Sequence, residues 1–368
     1  MSLIAPPQNQ KPRYMVQLDA LRALAVFGVL VHHFLPQEFF LNSKLHWGPL
    51  GVRLFFVLSG FLITGILLRC RELVDSTQQD AWFTIKRFYM RRFIRLVPVY
   101  YLTIFFSIIF AGKYIKNSLF WHLTYTSNIY FSINEWDAVT SHFWSLSVEE
   151  QFYLFWGLFI IMLPKKYLLP GIILTTIIGP VFRLLIIAFD FTNGSREYIL
   201  TFACFDSLGI GALMAFFNHN QEQFKRAKKY LYNFCFWVGI PLFIAFNLIS
   251  IPNLDNTILL SFGSTTASMF FVWLIEHAAR GFSGWIGVIL ELPALVYLGK
   301  ISYGIYVYHL LVAYALNKIL TYFGFTYPAW GWNKFVLSTV ATLIVAVLSW
   351  HFFEKPINAL KRNFEYKK

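Results

Sequence analysis

The sequence predicts an all-α polytopic membrane protein of about ten transmembrane helices with both termini in the cytoplasm. Three observations carry that prediction. The 368-residue chain is 57% hydrophobic and 20% aromatic but only 13% charged, where a soluble domain carries about 25%. Apolar runs long enough for a ~30 Å hydrocarbon core recur from end to end. The basic residues also gather on alternate connecting segments.

The spans fall near residues 16–35, 48–68, 96–111, 142–163, 168–189, 199–217, 230–249, 257–277, 296–320 and 335–353. With the N-terminus inside, the cytoplasmic segments hold Lys86, Arg87, Arg91, Arg92, Arg95, Lys225, Arg226, Lys228 and Lys229, among others. The opposite side holds only Lys44, Lys113, Lys116, Arg196 and Lys334. This is the positive-inside asymmetry. It accounts for the net charge of +13 through topology and membrane-lipid contact, without a nucleic acid partner. Residues 1–14 read as a mobile cytoplasmic lead-in without the apolar core of a cleavable signal. Residues 15–355 form the membrane domain, and 356–368 a basic cytoplasmic tail. Cys70, Cys204 and Cys235 are odd in number and lack ligand spacing, so neither a disulfide framework nor a metal site is expected.

Span 1, DALRALAVFGVLVHHF, places Arg22 and His33 eleven residues apart, almost three full helical turns. Both side chains therefore share one face, about 16 Å apart along the axis. His32 points about 100° away, and Asp19 sits at i, i+3 from Arg22, within pairing reach. An intramembrane Arg costs roughly 2.5–3.5 kcal/mol, so the stripe reads either as functional or as an Arg snorkelling beside an interfacial histidine. In span 2, Arg53 is expected to snorkel at the outer end, and Ser59-Gly60 to permit close helix approach.

The loop KRFYMRRFIRLVP sets Arg91, Arg92 and Arg95 at the cytoplasmic mouth of span 3. Two guanidinium forks at i, i+3 suit a phosphate or pyrophosphate; anionic lipid headgroups are the other reading. The aromatic outer segment 112–141 contains TYTSNIYF, and part of it is short enough to be re-entrant. It leads into HFWSLSVEEQFYLFW, where His142, Glu149 and Glu150 arrive on the side on which His33 ends. A carboxylate beside an imidazole fixes its tautomer or raises its basicity. Ser145 or Ser147 capping a helix start explains the same pattern. In the second half, Asp206 precedes a small-residue face, which predicts a buried contact between helices. Tyr303, Tyr306 and His309 lie on neighbouring faces of span 9, where interfacial-belt residues are common.

The runs LDALRALAVFGVLVHHF, FFVLSGFLITGILL, YMRRFIRLVPVYY, HFWSLSVEEQFYLFWG, LGKISYGIYVYHLL and FFEKP, in that order, resemble the acyltransferase-3 family. These are integral membrane acyltransferases, many of which O-acetylate bacterial surface polysaccharides and lipopolysaccharide. The family's basic residue and histidine, ten residues between them, fall on Arg22 and His33, which favours His33 over His32. Its Arg-x-x-Arg falls on Arg92 and Arg95, and its Trp-Ser-Leu-Ser-Val-Glu on Trp144 to Glu149. Many members add a C-terminal extracytoplasmic domain; this chain resembles the stand-alone type.

The resemblance implies an enzyme of the bacterial inner membrane. Acetyl-CoA would be the donor, and a hydroxyl of an extracytoplasmic or lipid-linked glycan, such as lipopolysaccharide O-antigen, the acceptor. Arg92 and Arg95, with Arg91, would bind the donor phosphates. His33 would be the general base, since an imidazole of ordinary pKa near 6.5 is largely neutral at pH 7. Glu149 would orient it, and Arg22 would hold the donor or polarise the site. The acceptor side is expected at His142, Trp144, Ser147, Asn128, Tyr306 and His309. A covalent acyl-histidine stays open. So do a small-molecule acceptor, a glycolipid transporter without acyl transfer, and a scaffold using the basic inner loops.

Overall fold

A computed structural model describes residues 14–36, 39, 45–189, 197–247, 256–328 and 331–366. The lead-in 1–14 apart from Tyr14, most of the loop after span 1, Lys44, Arg196, Lys367 and Lys368 lie outside the described residues. Every regular element among the described residues is helical.

In chain order the helices are α1 (Val16–Phe34), α2 (Trp47–Thr77), α3 (Ala81–Ile115), α4 (Leu119–Leu123), α5 (Ser127–Ile133), α6 (Phe143–Met162), α7 (Lys165–Phe189) and α8 (Phe205–His219). There follow α9 (Gln221–Phe234), α10 (Ile240–Asn247), α11 (Asn256–Arg280), α12 (Gly284–Leu290), α13 (Pro293–Lys300), α14 (Ser302–Tyr322), α15 (Trp332–Ser349) and α16 (Lys355–Ala359). A π-helical turn, Cys235–Gly239, joins α9 to α10, and a second, Trp350–Glu354, joins α15 to α16. A 3₁₀ turn, Leu360–Phe364, follows α16.

Among the described residues, six helical stretches are long and apolar enough to cross a membrane: Val16–Phe34, Trp47–Thr77, Ala81–Ile115, Lys165–Phe189, Gln221–Phe246 and Trp332–Phe364. The pair α13 and α14, bent by 69°, makes a seventh if it is one broken span. The protein is thus a multi-pass helical membrane protein. The remaining three expected spans coincide with α6, α8 and α11. Helix α8 has 15 residues, about 22 Å at 1.5 Å per residue, shorter than a ~30 Å core.

Two boundaries differ from the sequence reading, for one reason. The basic stretch before span 3 is not a loop but the first half of α3. Asp80 caps that helix, its carboxylate accepting from the amides of Trp82 and Phe83 at 3.1 Å each, and Arg is a good helix former. Helix α2 likewise runs past residue 68 to Thr77. Arg71 on this extension donates to the carbonyls of Ile160 and Leu163 at 2.6 Å, closing the C-terminus of α6 with a cation.

The core is built on α2, which packs most extensively against α8 and α1. Gly60 makes that approach possible: a Cβ there would lie 2.0 Å from the Leu208 carbonyl oxygen, a contact no other residue type allows. The segment 112–141 folds as short helices against α3 and α6. The Tyr100 hydroxyl donates to the His122 carbonyl at 3.0 Å, and Tyr101 to Leu123 at 2.7 Å.

Arg53 does not snorkel. It is buried between helices, 3.7 Å from the Asp206 carboxylate and 3.2 Å from Ser207 Oγ. Arg183 meets the other oxygen of Asp206 at 2.7 Å, and Thr265 donates to it at 2.8 Å. Asp206 is therefore the buried interhelical contact that its sequence context predicts. Arg53 finds its partners inside the bundle: the Asp206 carboxylate, Ser207 Oγ and the Tyr198 carbonyl at 3.5 Å.

Candidate active site

A cavity of about 180 Å³ opens between α1, α2, α3, α6 and α14. Its polar wall is formed by Arg22, Ser59, Arg92, Arg95, Ser145, Glu149, Tyr153, Ser302, Tyr303 and Tyr306. Val52, Phe55, Phe56, Leu62, Ile63 and Ile66 of α2 supply most of its apolar wall. Each charged residue reaches it by helical periodicity. Arg92 and Arg95 are one turn apart on α3, while Glu149 and Tyr153 are i, i+4 neighbours on α6.

Three features set its electrostatics. The Glu149 carboxylate accepts from Ser59 Oγ at 2.7 Å, and the Tyr153 hydroxyl stands 3.1 Å from its other oxygen. Tyr153 is also 2.9 Å from Ser59, so the three groups form a closed triangle. Arg22 pairs with Asp19, which also accepts from the Tyr14 hydroxyl. That bond and burial together push the Tyr14 phenol up to about 12. Arg92 lies over the Tyr153 ring, 5.5 Å from its centroid. Among the described residues, neither Arg92 nor Arg95 makes a hydrogen bond or ion pair to protein. Two adjacent guanidinium groups facing a cavity, both unpaired, are a site for a polyanion.

His33 does not line this cavity. It belongs to a cluster of rings beside it: His33 to His309 is 5.0 Å between centroids, and His309 to His142 is 4.5 Å. Tyr306 joins cluster and cavity, with its ring 5.3 Å from His142 and 5.8 Å from His309. Its hydroxyl is 2.6 Å from Ser145 Oγ and donates to the His142 carbonyl at 3.0 Å. His309 Nδ1 donates to the Tyr306 carbonyl at 2.6 Å, and His142 Nε2 to the Val307 carbonyl at 3.2 Å. These bonds fix both tautomers and leave His309 Nε2 and His142 Nδ1 as buried acceptors without a hydrogen-bond partner among the described residues. His32 turns away and packs on Gly48, where a Cβ would come within 2.5 Å of its ring.

The expected site residues thus separate. Arg22, Glu149, Arg92, Arg95 and Tyr306 meet at the cavity, and His33, His142 and His309 meet next to it. Glu149 hydrogen-bonds Ser59 and Tyr153 rather than an imidazole. Arg91 turns aside, donating to the carbonyls of Lys361 at 2.8 Å and Phe364 at 3.3 Å. Trp144 packs edge-on against Phe56 and Tyr198. Ser147 is 2.8 Å from Ser127 Oγ. Asn128 donates to Thr201 at 2.9 Å and accepts from Gln151 at 2.9 Å.

Neither Ser145 nor Ser147 caps α6. His142 occupies the cap position without a side-chain bond, and both serines bond across to other helices instead. Ser59, Tyr153 and Tyr303 are cavity residues that the spacing did not single out for this site. The only signal for Ser59 was its place beside Gly60, which reads equally as packing.

Fold and site together define a helical membrane protein holding a cation-lined polar cavity inside its bundle. Residues 15–351 match the acyltransferase-3 family, an acyltransferase domain. The chain belongs to this family of acyltransferases. Similar proteins include the peptidoglycan O-acetyltransferase OatA of Listeria monocytogenes, 31% identical over 370 residues covering 94% of this chain and 56% of the relative. The O-acetyltransferase OatA of Staphylococcus aureus strain NCTC 8325 is 29% identical over 376 residues, covering 96% of this chain and 58% of that protein. The chain thus spans little more than half the length of these relatives. No solved structure matches it.

Proposed function

We propose that the protein is an O-acetyltransferase of the bacterial inner membrane. It takes an acetyl group from cytoplasmic acetyl-CoA and passes it to a hydroxyl of an extracytoplasmic glycan. The observation that carries this reading is the unpaired Arg92–Arg95 couple opening into the same cavity as Arg22 and Glu149, one tyrosine away from the His33 cluster. Ten spans, with both termini in the cytoplasm, would put the arginines on the side where acetyl-CoA is made and His33 towards the opposite face.

In this reading the donor's phosphates rest on Arg92 and Arg95, and its pantetheine arm enters the cavity. His33 accepts the proton of the acceptor hydroxyl as its oxygen attacks the thioester carbonyl. The C–S bond then breaks, and the CoA thiolate takes up the proton. Tyr306 and then His309 lead from the cavity to His33, so the acetyl group and the base meet only beside or past these rings. Ser59 and Tyr153 fix Glu149 for the donor rather than for the imidazole, while Arg22 faces the carbonyl end. The acceptor named for the Listeria relative favours peptidoglycan over lipopolysaccharide O-antigen as the first glycan to test.

The test uses protein reconstituted in vesicles with acetyl-CoA on the arginine side and soluble peptidoglycan fragments on the other. Free CoA should appear in proportion to acetylated glycan. Glycan movement without CoA release would make the protein a transporter.

A further inference from the structure

The basic cluster on α3 contains more than the cavity uses, and the C-terminal segment accounts for the remainder. Arg87 donates to the Asn363 carbonyl at 2.6 Å and lies between the rings of Phe83 and Phe364, 4.7 and 5.3 Å from their centroids. Arg91 donates to the carbonyls of Lys361 and Phe364 and lies 5.2 Å from the Tyr366 ring centroid. From the helix start, Gln79 donates to the Tyr366 carbonyl at 2.6 Å. The turn Leu360–Phe364 and the residues after it are thus fastened along the basic face of α3.

This fastening has a consequence for charge. Arg91 gives its donors to main-chain carbonyls, so it is not available to a phosphate. The same contact brings in Lys361, whose ammonium donates, among the described residues, to the neutral amide oxygen of Asn358. The 2.8 Å bond from Arg91 to its carbonyl sets Lys361 against α3 beside the residue that adjoins Arg92 and lies one turn before Arg95. Among the described residues, none of these four cations forms an ion pair with a carboxylate. Like charges gathered without counter-charge repel one another unless an anion joins them.

Resting on the acetyl-CoA reading above, we propose that Lys361 is the third free cation of the donor's phosphate site, in the place the sequence assigns to Arg91. Arg91 and Arg87 act as positioning residues that hold its turn against α3. The ligand chemistry is phosphate, and it has two sources: the nucleotide end of the donor, or the headgroup of an anionic lipid. The nucleotide is the one we assign, because Arg92 and Arg95 line the cavity that receives the rest of the donor.

The experiment compares two donors on the reconstituted full chain: acetyl-CoA, and S-acetyl-pantetheine, which carries the same thioester without phosphates. Lys361→Gln should raise the KM for acetyl-CoA about fivefold, the size expected of one basic group beside an anion. It should leave the KM for S-acetyl-pantetheine unchanged. Lys361→Arg should restore the wild-type value, and Arg362→Gln, on the exposed neighbour, should change neither. An unchanged KM for acetyl-CoA, or an equal rise for both donors, overturns the assignment. So does an effect that follows only the phosphatidylglycerol content of the vesicles. Calorimetric binding of CoA separates the two levels: a wild type that binds no CoA removes the acetyl-CoA reading and Lys361 with it. A wild type that binds CoA while Lys361→Gln binds it equally well removes Lys361 alone.

Discussion

Two pairs of arginines sit inside this helical bundle, and their surroundings are opposite. Arg53 and Arg183 share Asp206, with Ser207 and Thr265 completing a hydrogen-bonded network between α2, α7, α8 and α11. Arg92 and Arg95 point into a cavity and, among the described residues, make no hydrogen bond or ion pair to protein. A charge withdrawn from water costs several kcal/mol unless it is paired. The first pair is paired by the fold and holds helices together. The second is half-buried on a cavity wall, and in the proposed function the phosphates of the donor pair it. Residue type does not separate the two pairs; satisfaction does.

Substitutions in the two clusters and at His33 test that contrast. The largest effect is expected at His33→Ala, which should lower acetyl transfer by about 10²–10⁴-fold, the usual contribution of a general base. Its unfolding temperature in detergent should match wild type. Substantial remaining transfer would take His33 out of the chemistry.

Asp206→Asn should do the reverse. It leaves two buried guanidinium groups without counter-charge, which costs about 3–5 kcal/mol. This would be read as a lower unfolding temperature in detergent and reduced yield. An unshifted melt would show that the paired cluster does not hold the bundle together.

Arg92→Gln and Arg95→Gln should each raise the KM for acetyl-CoA about tenfold or more, from loss of a charge-assisted hydrogen bond worth about 1.5–3 kcal/mol. Thermal stability should be unchanged or slightly higher. If only the dependence on acceptor moved, the cavity would serve the glycan instead. The smallest effect is expected at Ser59→Ala. It removes one of the two groups on the Glu149 carboxylate and should cost about 1 kcal/mol, roughly fivefold in kcat/KM.

Much of the site was legible because helical periodicity places residues on faces without knowledge of the fold. Arg22 with Asp19, and Arg92 with Arg95, follow from spacings of three. Arg91 shows where that logic stops. It is chemically the same as Arg92 and adjacent to it, yet a carbonyl contributed from residue 361 takes its donors. Arg53 illustrates the same limit: its position near a helix end implied snorkelling, and only the approach of α8 supplied Asp206.

Read alone, the sequence establishes that this chain is a helical membrane protein and which residues share a helical face. These properties depend on composition and on a repeat of 3.6 residues, both local. Helix packing alone settles which charges are neutralised, that Ser59 and Tyr153 hold Glu149, and that Tyr306 joins the cavity to the histidine cluster. Pairing inside a bundle is settled by which helices touch, and contacts between residues 59 and 149, or 91 and 361, leave no periodic trace along the chain.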